Sequence, residues 1–252
     1  MKEINILITA GGTTENIDPA RTIANNSSGK LGSIIAQTIS DKFCWDDANA
    51  LTKDKSTTFQ EKAVIISKPR ITIHYVSNRK AYKPELGYAN IIFHTTTNTQ
   101  SVLDTVTDIL KNNKIDAVIH SMAISDYTVD WVSLMDGTKL DNSKKISSEH
   151  DELLVKLKKT PKVINIIKEV SPDTKLFGFK LLSGVKEEDL VAAAKHQIEA
   201  AKSDYVICND LQNINAEQHK AIIVDKEGNI IEHCETKQDI ANKIYELLNR
   251  IK

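Results

Sequence analysis

Short apolar runs and helical periodicities alternate along nearly the whole chain. Residues 4–9 form an apolar run that ends at Gly11 and Gly12, which is typical of a buried strand entering a turn. Residues 29–40 then carry apolar side chains at the spacing of an amphipathic helix. A strand, a glycine turn and a helix in this order predict the start of a βαβ unit, with an unusually long loop before the helix.

The same alternation continues to the end of the chain. It predicts strands at 63–67, 71–76, 89–93, 116–120, 153–157, 176–180 and 205–208, a hairpin from 221–224 and 230–231, and helices at 100–111, 161–169, 187–202 and 236–251. Pro161 suits the first turn of its helix, and Thr236 suits the N-cap of the last one. The pattern predicts one α/β domain over residues 1–252: a Rossmann-like, mostly parallel sheet with helices on both faces and a small antiparallel hairpin extension.

Two polar segments interrupt this pattern. Residues 41–61 are charged, and they predict either an exposed excursion or a longer helix with a mobile loop. Residues 136–151 are polar and contain the pair Lys144 and Lys145, which predicts a surface loop or a flap.

Composition narrows the functional classes. Hydrophobic residues make up 40% of the chain and charged residues 27%, and the net charge is -1, so no basic field indicates a nucleic-acid partner. No apolar run has membrane-spanning length, and no signal peptide is evident. The three cysteines include no CxxC pair and the seven histidines no HExxH motif, which disfavours a disulfide framework or a protein metal cage and indicates a reducing cytoplasm.

Four residue pairs lie at or beyond the carboxyl ends of predicted strands. They are Gly11 and Gly12, Ser125 and Asp126, Gly178 and Phe179, and Asn209 and Asp210. Each pair alone has an ordinary explanation, such as a turn or a core aromatic residue. Ligands of open α/β sheets bind beyond the carboxyl ends of the strands, so the shared position of these pairs favours a binding site.

The segment from Asn25 to Gly32 is the most informative part of the chain. Ser27 or Ser28 can cap the following helix, and Gly29 and Gly32 let backbone amides approach a ligand. A helix N-terminus attracts anions, so the segment suits a triphosphate, although a plain capped helix explains the same residues. The spacing fits neither a P-loop nor the GxGxxG dinucleotide fingerprint.

A longer set of motifs resembles the phosphopantothenate–cysteine ligase family. The first motif runs from Ile8 through Gly11, Gly12 and Arg21 to Gly32. The later motifs are residues 119–127, 145–148, 159–162, 178–182 and 208–211, so the resemblance spans nearly the whole chain. The wording of the later motifs resembles the stand-alone bacterial form, without the flavin-dependent decarboxylase domain of the fused enzyme.

The resemblance implies a two-step ligation in coenzyme A biosynthesis. The carboxylate of 4′-phosphopantothenate attacks the α-phosphate of a nucleoside triphosphate, CTP in bacterial members, and expels pyrophosphate. The amine of L-cysteine then displaces CMP from the acyl nucleotidylate. The resemblance further implies Mg²⁺ held mainly by phosphates, and a homodimer with shared active sites.

The resemblance also assigns roles to residues. Asn25 is expected to hold the acyl carbonyl, and Lys145 on the flap to neutralise the triphosphate, although Lys144 could replace it. The remaining expected contacts are Gly11, Ser27, Gly29, Gly32, Asp126, Phe179 and Asn209 with nucleotide, and Met122, Ala123 and Asp126 with phosphopantothenate.

The chain also departs from the family pattern. Residues 41–61 look like an insertion. The family often carries two lysines one helical turn apart before the Asn-Asp strand, whereas here Lys195 is followed by Glu199 and later by Lys202. Lys195 and Lys202 are therefore only weakly assigned to nucleotide. One alternative function is that of an NAD-dependent oxidoreductase, but this chain lacks the GxGxxG turn that such an enzyme would be expected to have. The other is that of a nucleotide-binding protein without catalysis, for which Asn25 and Lys145 would be expendable.

Overall fold

The computed structural model describes residues 3–53, 70–215 and 217–250. The strands are β1 (Ile4–Ala10), β2 (Thr14–Asn16), β3 (Thr22–Ala24), β4 (Ile71–Asn78), β5 (Asn90–Thr96), β6 (Ala117–His120), β7 (Tyr127–Ser133), β8 (Lys139–Leu140), β9 (Leu154–Lys159), β10 (Lys175–Leu182), β11 (Tyr205–Ile214), β12 (His219–Asp225) and β13 (Ile230–Cys234). The helices are α1 (Lys30–Lys53), α2 (Thr99–Asn112), α3 (Val163–Val170), α4 (Glu187–Ala201) and α5 (Lys237–Asn249). No helix in these ranges is long and apolar enough to cross a membrane.

An eight-stranded sheet in the order β13-β12-β11-β10-β6-β1-β4-β5 forms the centre of the molecule. The strands from β11 to β5 in this order run parallel, and β12 and β13 continue the sheet as the antiparallel hairpin that the sequence predicted. The predicted α/β, Rossmann-like fold is confirmed. The carboxyl ends of the parallel strands share one edge, which is where a ligand is expected.

Helices cover both faces of the sheet, so its central strands are buried on both sides. In β1, Ile6 and Ile8 pack with α1 and α5, whereas Leu7 packs with α2 and α3. Successive side chains of a strand point to opposite faces, which explains why this strand appears in the sequence as a continuous apolar run.

Two small antiparallel sheets lie outside the central one. A hairpin pairs β2 with β3, and a second sheet has the order β8-β7-β9. The strand β9 was predicted, but β2, β3, β7 and β8 were not. Their side chains are mostly half-buried or exposed, and such strands lack the apolar run that marks a central strand.

Helix α1 continues past its predicted end at residue 40. Of the two predictions for residues 41–61, the longer helix is confirmed as far as Lys53. Tertiary contacts stabilise this polar extension: Phe43 is 1% exposed and stacks edge-on against Tyr245 of α5, whose hydroxyl donates to Asp46. Residues 54–61, and the strand predicted at 63–67, lie outside the described residues.

Two other boundaries differ from the predictions. Pro161 is not in the first turn of its helix, because α3 begins at Val163 with Lys162 at its N-cap. Strand β11 does not end before Asn209 but continues to Ile214, because its pairing with β12 resumes at His219 after a register shift. Asn209 and Asp210 are therefore strand residues.

Thr236 caps α5 as predicted. Its side chain accepts a hydrogen bond from the Asp239 amide, and the Asp239 carboxylate accepts from the Thr236 amide at 2.9 Å. We expect Thr236→Ala to lower the free energy of unfolding by about 1 kcal/mol. Thr236→Ser keeps the hydroxyl and should unfold at nearly the wild-type urea concentration. Equal losses in both variants would show that the methyl group matters rather than the cap.

Candidate active site

The glycine turn after β1 joins two segments that are far apart in sequence. The Ala123 amide donates to the Gly11 carbonyl at 2.8 Å, and the Thr13 amide donates to the Ala123 carbonyl at 3.1 Å. The Thr13 hydroxyl accepts from the Ser125 amide at 2.9 Å. These bonds hold the segment after β6 against the end of β1, at the carboxyl edge of the sheet.

Asn25 comes to the same turn through the β2–β3 hairpin. Its amide donates to the Thr13 carbonyl at 3.1 Å, and a β-carbon on Gly12 would collide with its carbonyl oxygen. Asn25 is half-buried and Ala123 is half-buried, so both remain accessible beside Gly12. Met122 is 6% exposed and packs in the core.

The start of α1 packs onto this turn through two further glycines. A β-carbon on Gly29 would lie 2.9 Å from the Gly11 amide nitrogen, and one on Gly32 would lie 2.6 Å from Ala10 Cβ. The φ angles of Gly11 and Gly29 are +88° and +74°, a region that favours glycine. The structure therefore brings Gly11, Gly29 and Gly32 together, and their missing side chains are explained by packing within the protein.

The N-terminus of α1 keeps free donors at this edge. The first backbone bond of the helix runs from the Ser33 amide to the Gly29 carbonyl at 3.1 Å, so the amides of residues 31 and 32 precede it. Ser28, not Ser27, approaches the helix end, where its hydroxyl accepts from the Lys30 amide at 3.4 Å. Amides and helix dipole together make this end suitable for an anion.

Asn78, at the end of β4, is a site residue that the sequence analysis missed. Its side-chain amide donates to the Gly12 carbonyl at 2.5 Å and its side-chain oxygen accepts from the Lys80 amide at 2.9 Å. The turn that follows lays Ala81 over Gly11 and Gly29. A polar residue at the end of the predicted strand 71–76 was the signal that could have identified it.

Asp126 forms an ion pair with Lys162 at the N-terminus of α3. Their side-chain atoms are 2.5 Å apart, and each side chain is 61% exposed. The Thr160 amide donates to the Asp126 carbonyl at 3.0 Å, which attaches the 159–162 motif to the segment after β6. Lys162 was quoted within its motif but was not predicted as a site residue.

Phe179 and Asn209 lie on the face of the sheet that α1 and α5 cover. Phe179 is aligned with Ile207, two residues before Asn209, and both pack against the same core cluster as Leu31 of α1. Asn209 is only 5% exposed, yet its side-chain nitrogen has no hydrogen-bond partner. A buried unpaired donor costs about 1–3 kcal/mol, so Asn209 requires an explanation beyond the folded chain itself.

Lys195 and Lys202, which were weakly assigned to nucleotide, lie away from this edge. A β-carbon on Gly228, in the β12–β13 turn, would lie 2.6 Å from Lys195 Cε. Lys202 is the C-cap of α4 and precedes β11 directly. Both lysines therefore lie toward the amino ends of the parallel strands, since Asp225 at that turn pairs with Tyr205.

The predicted flap carries its two lysines differently. Lys144 is paired with Asp141 at 3.5 Å, whereas no carboxylate of the described ranges is within pairing distance of Lys145, which is exposed. The next residue, Ile146, is 5% exposed and bonded through its backbone to Asp18 and Arg21. This difference favours Lys145 over Lys144 as the lysine that is free for a ligand.

Burial keeps the nearby titratable core groups uncharged. Burial lowers the pKa of His120, behind the glycine turn, to about 4, and burial raises the pKa of Cys208 to about 12. Both side chains are therefore uncharged at neutral pH, and a protonated thiol is a poor nucleophile. Within the described residues, no three His, Cys, Asp or Glu side chains form a metal-binding group.

A family model described as the DNA/pantothenate metabolism flavoprotein C-terminal domain, DFP, matches residues 1–43 and 72–251. The chain belongs to the DFP family. The family resemblance predicted from the motifs is therefore confirmed, and the match leaves out residues 44–71, which include the end of α1.

Relatives of this DFP chain agree with the family match. The coenzyme A biosynthesis bifunctional protein CoaBC of Thermococcus kodakarensis is 29% identical over 98% of this chain and 51% of its own length. CoaBC of Methanocaldococcus jannaschii is 27% identical over 98% and 50%. This chain thus spans about half the length of these curated relatives. The crystal structure of the DNA/pantothenate metabolism flavoprotein from Streptococcus pneumoniae has a TM-score of 0.79, with 31% identity over 99% of this chain and 100% of that one.

Gly32 tests the packing of α1 onto β1. A β-carbon there would meet Ala10 Cβ at 2.6 Å and Ser121 Oγ at 2.9 Å, so we expect Gly32→Ala to lower the free energy of unfolding by about 1–3 kcal/mol. The paired variant Ala10→Gly with Gly32→Ala removes the nearest clash and should recover part of that loss in urea unfolding. If the pair is no more stable than the single variant, Ala10 is not the limiting contact.

Proposed function

We propose that this DFP-family chain joins 4′-phosphopantothenate to L-cysteine, using CTP and releasing CMP and pyrophosphate. The observation that carries the proposal is the convergence of Asn25 and Ala123 on Gly12, beside the free amides that begin α1. The proposed site for the acyl group and the proposed site for the phosphates are thereby adjacent. The names of the relatives, which refer to coenzyme A biosynthesis and pantothenate metabolism, support the same assignment.

The reaction proceeds in two displacements. An oxygen of the phosphopantothenate carboxylate attacks the α-phosphorus of CTP, and the bond to pyrophosphate breaks. The cysteine amine, after losing a proton from its ammonium form to solvent, attacks the acyl carbon. CMP leaves with the electrons of the carbon–oxygen bond, and the nitrogen releases a second proton to solvent as the amide forms. Asn25 serves both steps because its neutral carboxamide donates to the acyl oxygen as negative charge develops there.

The nucleotide is held by backbone and by a few side chains. The segment from Ser27 to Gly32 supplies amides to the phosphates, and the backbone of Gly11 lies beside this segment. Phe179 packs against the base or ribose, and the unpaired nitrogen of Asn209 donates to the nucleotide. Asp126 contacts nucleotide and the pantothenate arm, and its pair with Lys162 lessens repulsion of the phosphates.

Lys145 supplies positive charge from the flap, which closes over the triphosphate. Mg²⁺ would be held mainly by the phosphates and water, rather than by carboxylates at this edge that already have protein partners. The Asp210 carboxylate, for instance, already accepts from the amides of Gly184, Val185 and Gln212.

The proposal includes a cytoplasmic homodimer with shared active sites. The small β8-β7-β9 sheet exposes Tyr127, Leu154 and Leu157 at 49%, 41% and 41%, next to Asp126. A second copy covering these side chains would bring its own residues to the pantothenate arm. The three cysteines are free, which suits a reducing compartment.

Pyrophosphate release tests the proposed function directly. The purified chain is incubated with Mg²⁺, 4′-phosphopantothenate and each nucleoside triphosphate, with and without L-cysteine. We expect release that depends on phosphopantothenate, is fastest with CTP and gives a cysteine adduct. A folded protein that binds nucleotide but releases none would instead support the non-catalytic nucleotide-binding alternative.

Asn25→Asp tests the acyl site. A carboxylate at this position faces the acyl phosphate oxygens and loses a donor, so we expect turnover to fall by about 100-fold or more, with an unchanged melting temperature. The matched control is Asn26→Asp, which adds the same charge at the exposed neighbouring residue and should retain most activity. Wild-type turnover by Asn25→Asp would remove Asn25 from the mechanism.

Asn209→Leu tests the nucleotide contact. Removing a buried unpaired amide should leave the melting temperature unchanged or higher, while nucleotide affinity falls by about 10-fold. Ser203→Ala removes another buried unpaired group, at the opposite edge of the sheet, and should leave affinity unchanged. A parallel loss of stability in Asn209→Leu with normal affinity would make Asn209 a structural residue.

A further inference from the structure

The backbone of a single residue, Ile146, fixes the flap, residues 136–151, to the β2–β3 hairpin. Asp18 accepts from the Ile146 amide at 3.1 Å, and Arg21 donates to the Ile146 carbonyl at 2.8 Å. Both backbone groups of Ile146 are thus engaged by the same pair. Ile146 is the one buried residue between 141 and 151, while its neighbours Lys145 and Ser147 are exposed.

Asp18 is the centre of this contact. Its side chain is 0% exposed and accepts from the amides of Ala20 and Arg21 at 2.8 Å each, as well as from the Arg21 guanidinium at 2.9 Å. The Arg21 guanidinium holds the pKa of Asp18 well below its usual range, so the carboxylate stays charged. A buried charge with this many donors fixes its partners in one geometry.

The same hairpin positions Asn25. The Ile17 amide donates to the Arg21 carbonyl at 2.8 Å to close the hairpin tip, and Thr14 pairs with Ala24 at its base. Strands of three residues span about 10 Å. The contact on Ile146 and the acyl site at Asn25 are therefore two ends of one short, hydrogen-bonded element.

We propose that Asp18 is a positioning residue. Together with Arg21 it binds the backbone of Ile146, and so it keeps the adjacent Lys145 in position to bind the triphosphate. Without these hydrogen bonds to Ile146, the flap would have to become ordered each time nucleotide binds, at a cost in chain entropy. The inference rests on the proposed role of Lys145. An ion pair that only stabilises the fold would show no energetic link to Lys145.

A double-mutant cycle measures that link. Asp18→Asn, Lys145→Gln and the double variant are compared in kcat/KM for the nucleoside triphosphate during pyrophosphate release. We expect Asp18→Asn to lose about 10- to 100-fold, and the double variant to be no worse than Lys145→Gln alone. Losses that multiply would overturn the proposal, because Asp18 would then act without Lys145.

Two further variants separate the effect of the contact between Asp18 and Ile146 from general effects on folding. Asp225→Asn makes the same chemical change in the β12–β13 turn, where the carboxylate accepts from the Glu227 and Asn229 amides, and should behave as wild type. Ile146→Pro removes the donor to Asp18 but leaves the Asp18–Arg21 pair intact. We expect it to reproduce the kinetic loss of Asp18→Asn, which keeps the test open should the latter variant misfold.

Hydrogen exchange of the ligand-free protein gives a readout that needs no activity. In Asp18→Asn the amides of residues 142–148 should exchange at least 10-fold faster, while the central sheet keeps its protection. Unchanged exchange of these amides would overturn the proposal that Asp18 holds the flap in place. If the wild-type chain released no pyrophosphate, the proposed function would fail, and nucleotide affinity would replace turnover in the same cycle.

Discussion

The backbone of Gly12 lies where three segments of the chain meet, and no side chain fits there. Its neighbours in the turn bond to Ala123, Thr13 accepts from the Asn25 amide, and Asn78 donates to the Gly12 carbonyl. A β-carbon at this point would collide with Asn25. Because the Asn25 backbone, the glycine turn and the loop after β6 all meet at this close approach, the geometry of the candidate site is set by backbone packing more than by side-chain contacts.

The distribution of charged side chains around the candidate site suits a ligand that is itself charged. The buried groups behind the turn, such as His120 and Cys208, are uncharged at neutral pH. Charged groups lie around the opening instead, on the exposed flap at Lys145 and in the Asp126–Lys162 pair. Two buried carboxylates carry charge as well: Asp18 is matched by Arg21 and backbone amides, and Asp210 by the amides of three residues. In the proposed function, the contact of Asp18 with Ile146 keeps the exposed Lys145 of the flap near the triphosphate.

Much of the fold and part of the site were predictable from the sequence. The central strands are buried on both faces and therefore appear as apolar runs, and the turn expected at Gly11 and Gly12 does follow the first of these strands. The half-exposed strands β2, β3 and β7 gave no such signal. Lys195 and Lys202 were assigned by spacing along a helix, and spacing does not tell toward which end of the sheet a long side chain extends. Asn78 and Lys162 were missed because their partners, Gly12 and Asp126, are distant in sequence.

By itself, the sequence determined the α/β architecture and the order of the motifs, because hydrophobic periodicity and glycine turns are local properties. Only the tertiary structure decided which motifs meet: that Ala123 and Asn25 share the Gly12 turn, that α1 continues to Lys53 against α5, and that Ile146 is held by Asp18. Apart from the bond of Asn25 to Thr13, which spans the short β2–β3 hairpin, these contacts join residues separated by about a hundred positions or more. They depend on strand order, register and the close approach of backbones, none of which a local pattern of residues encodes.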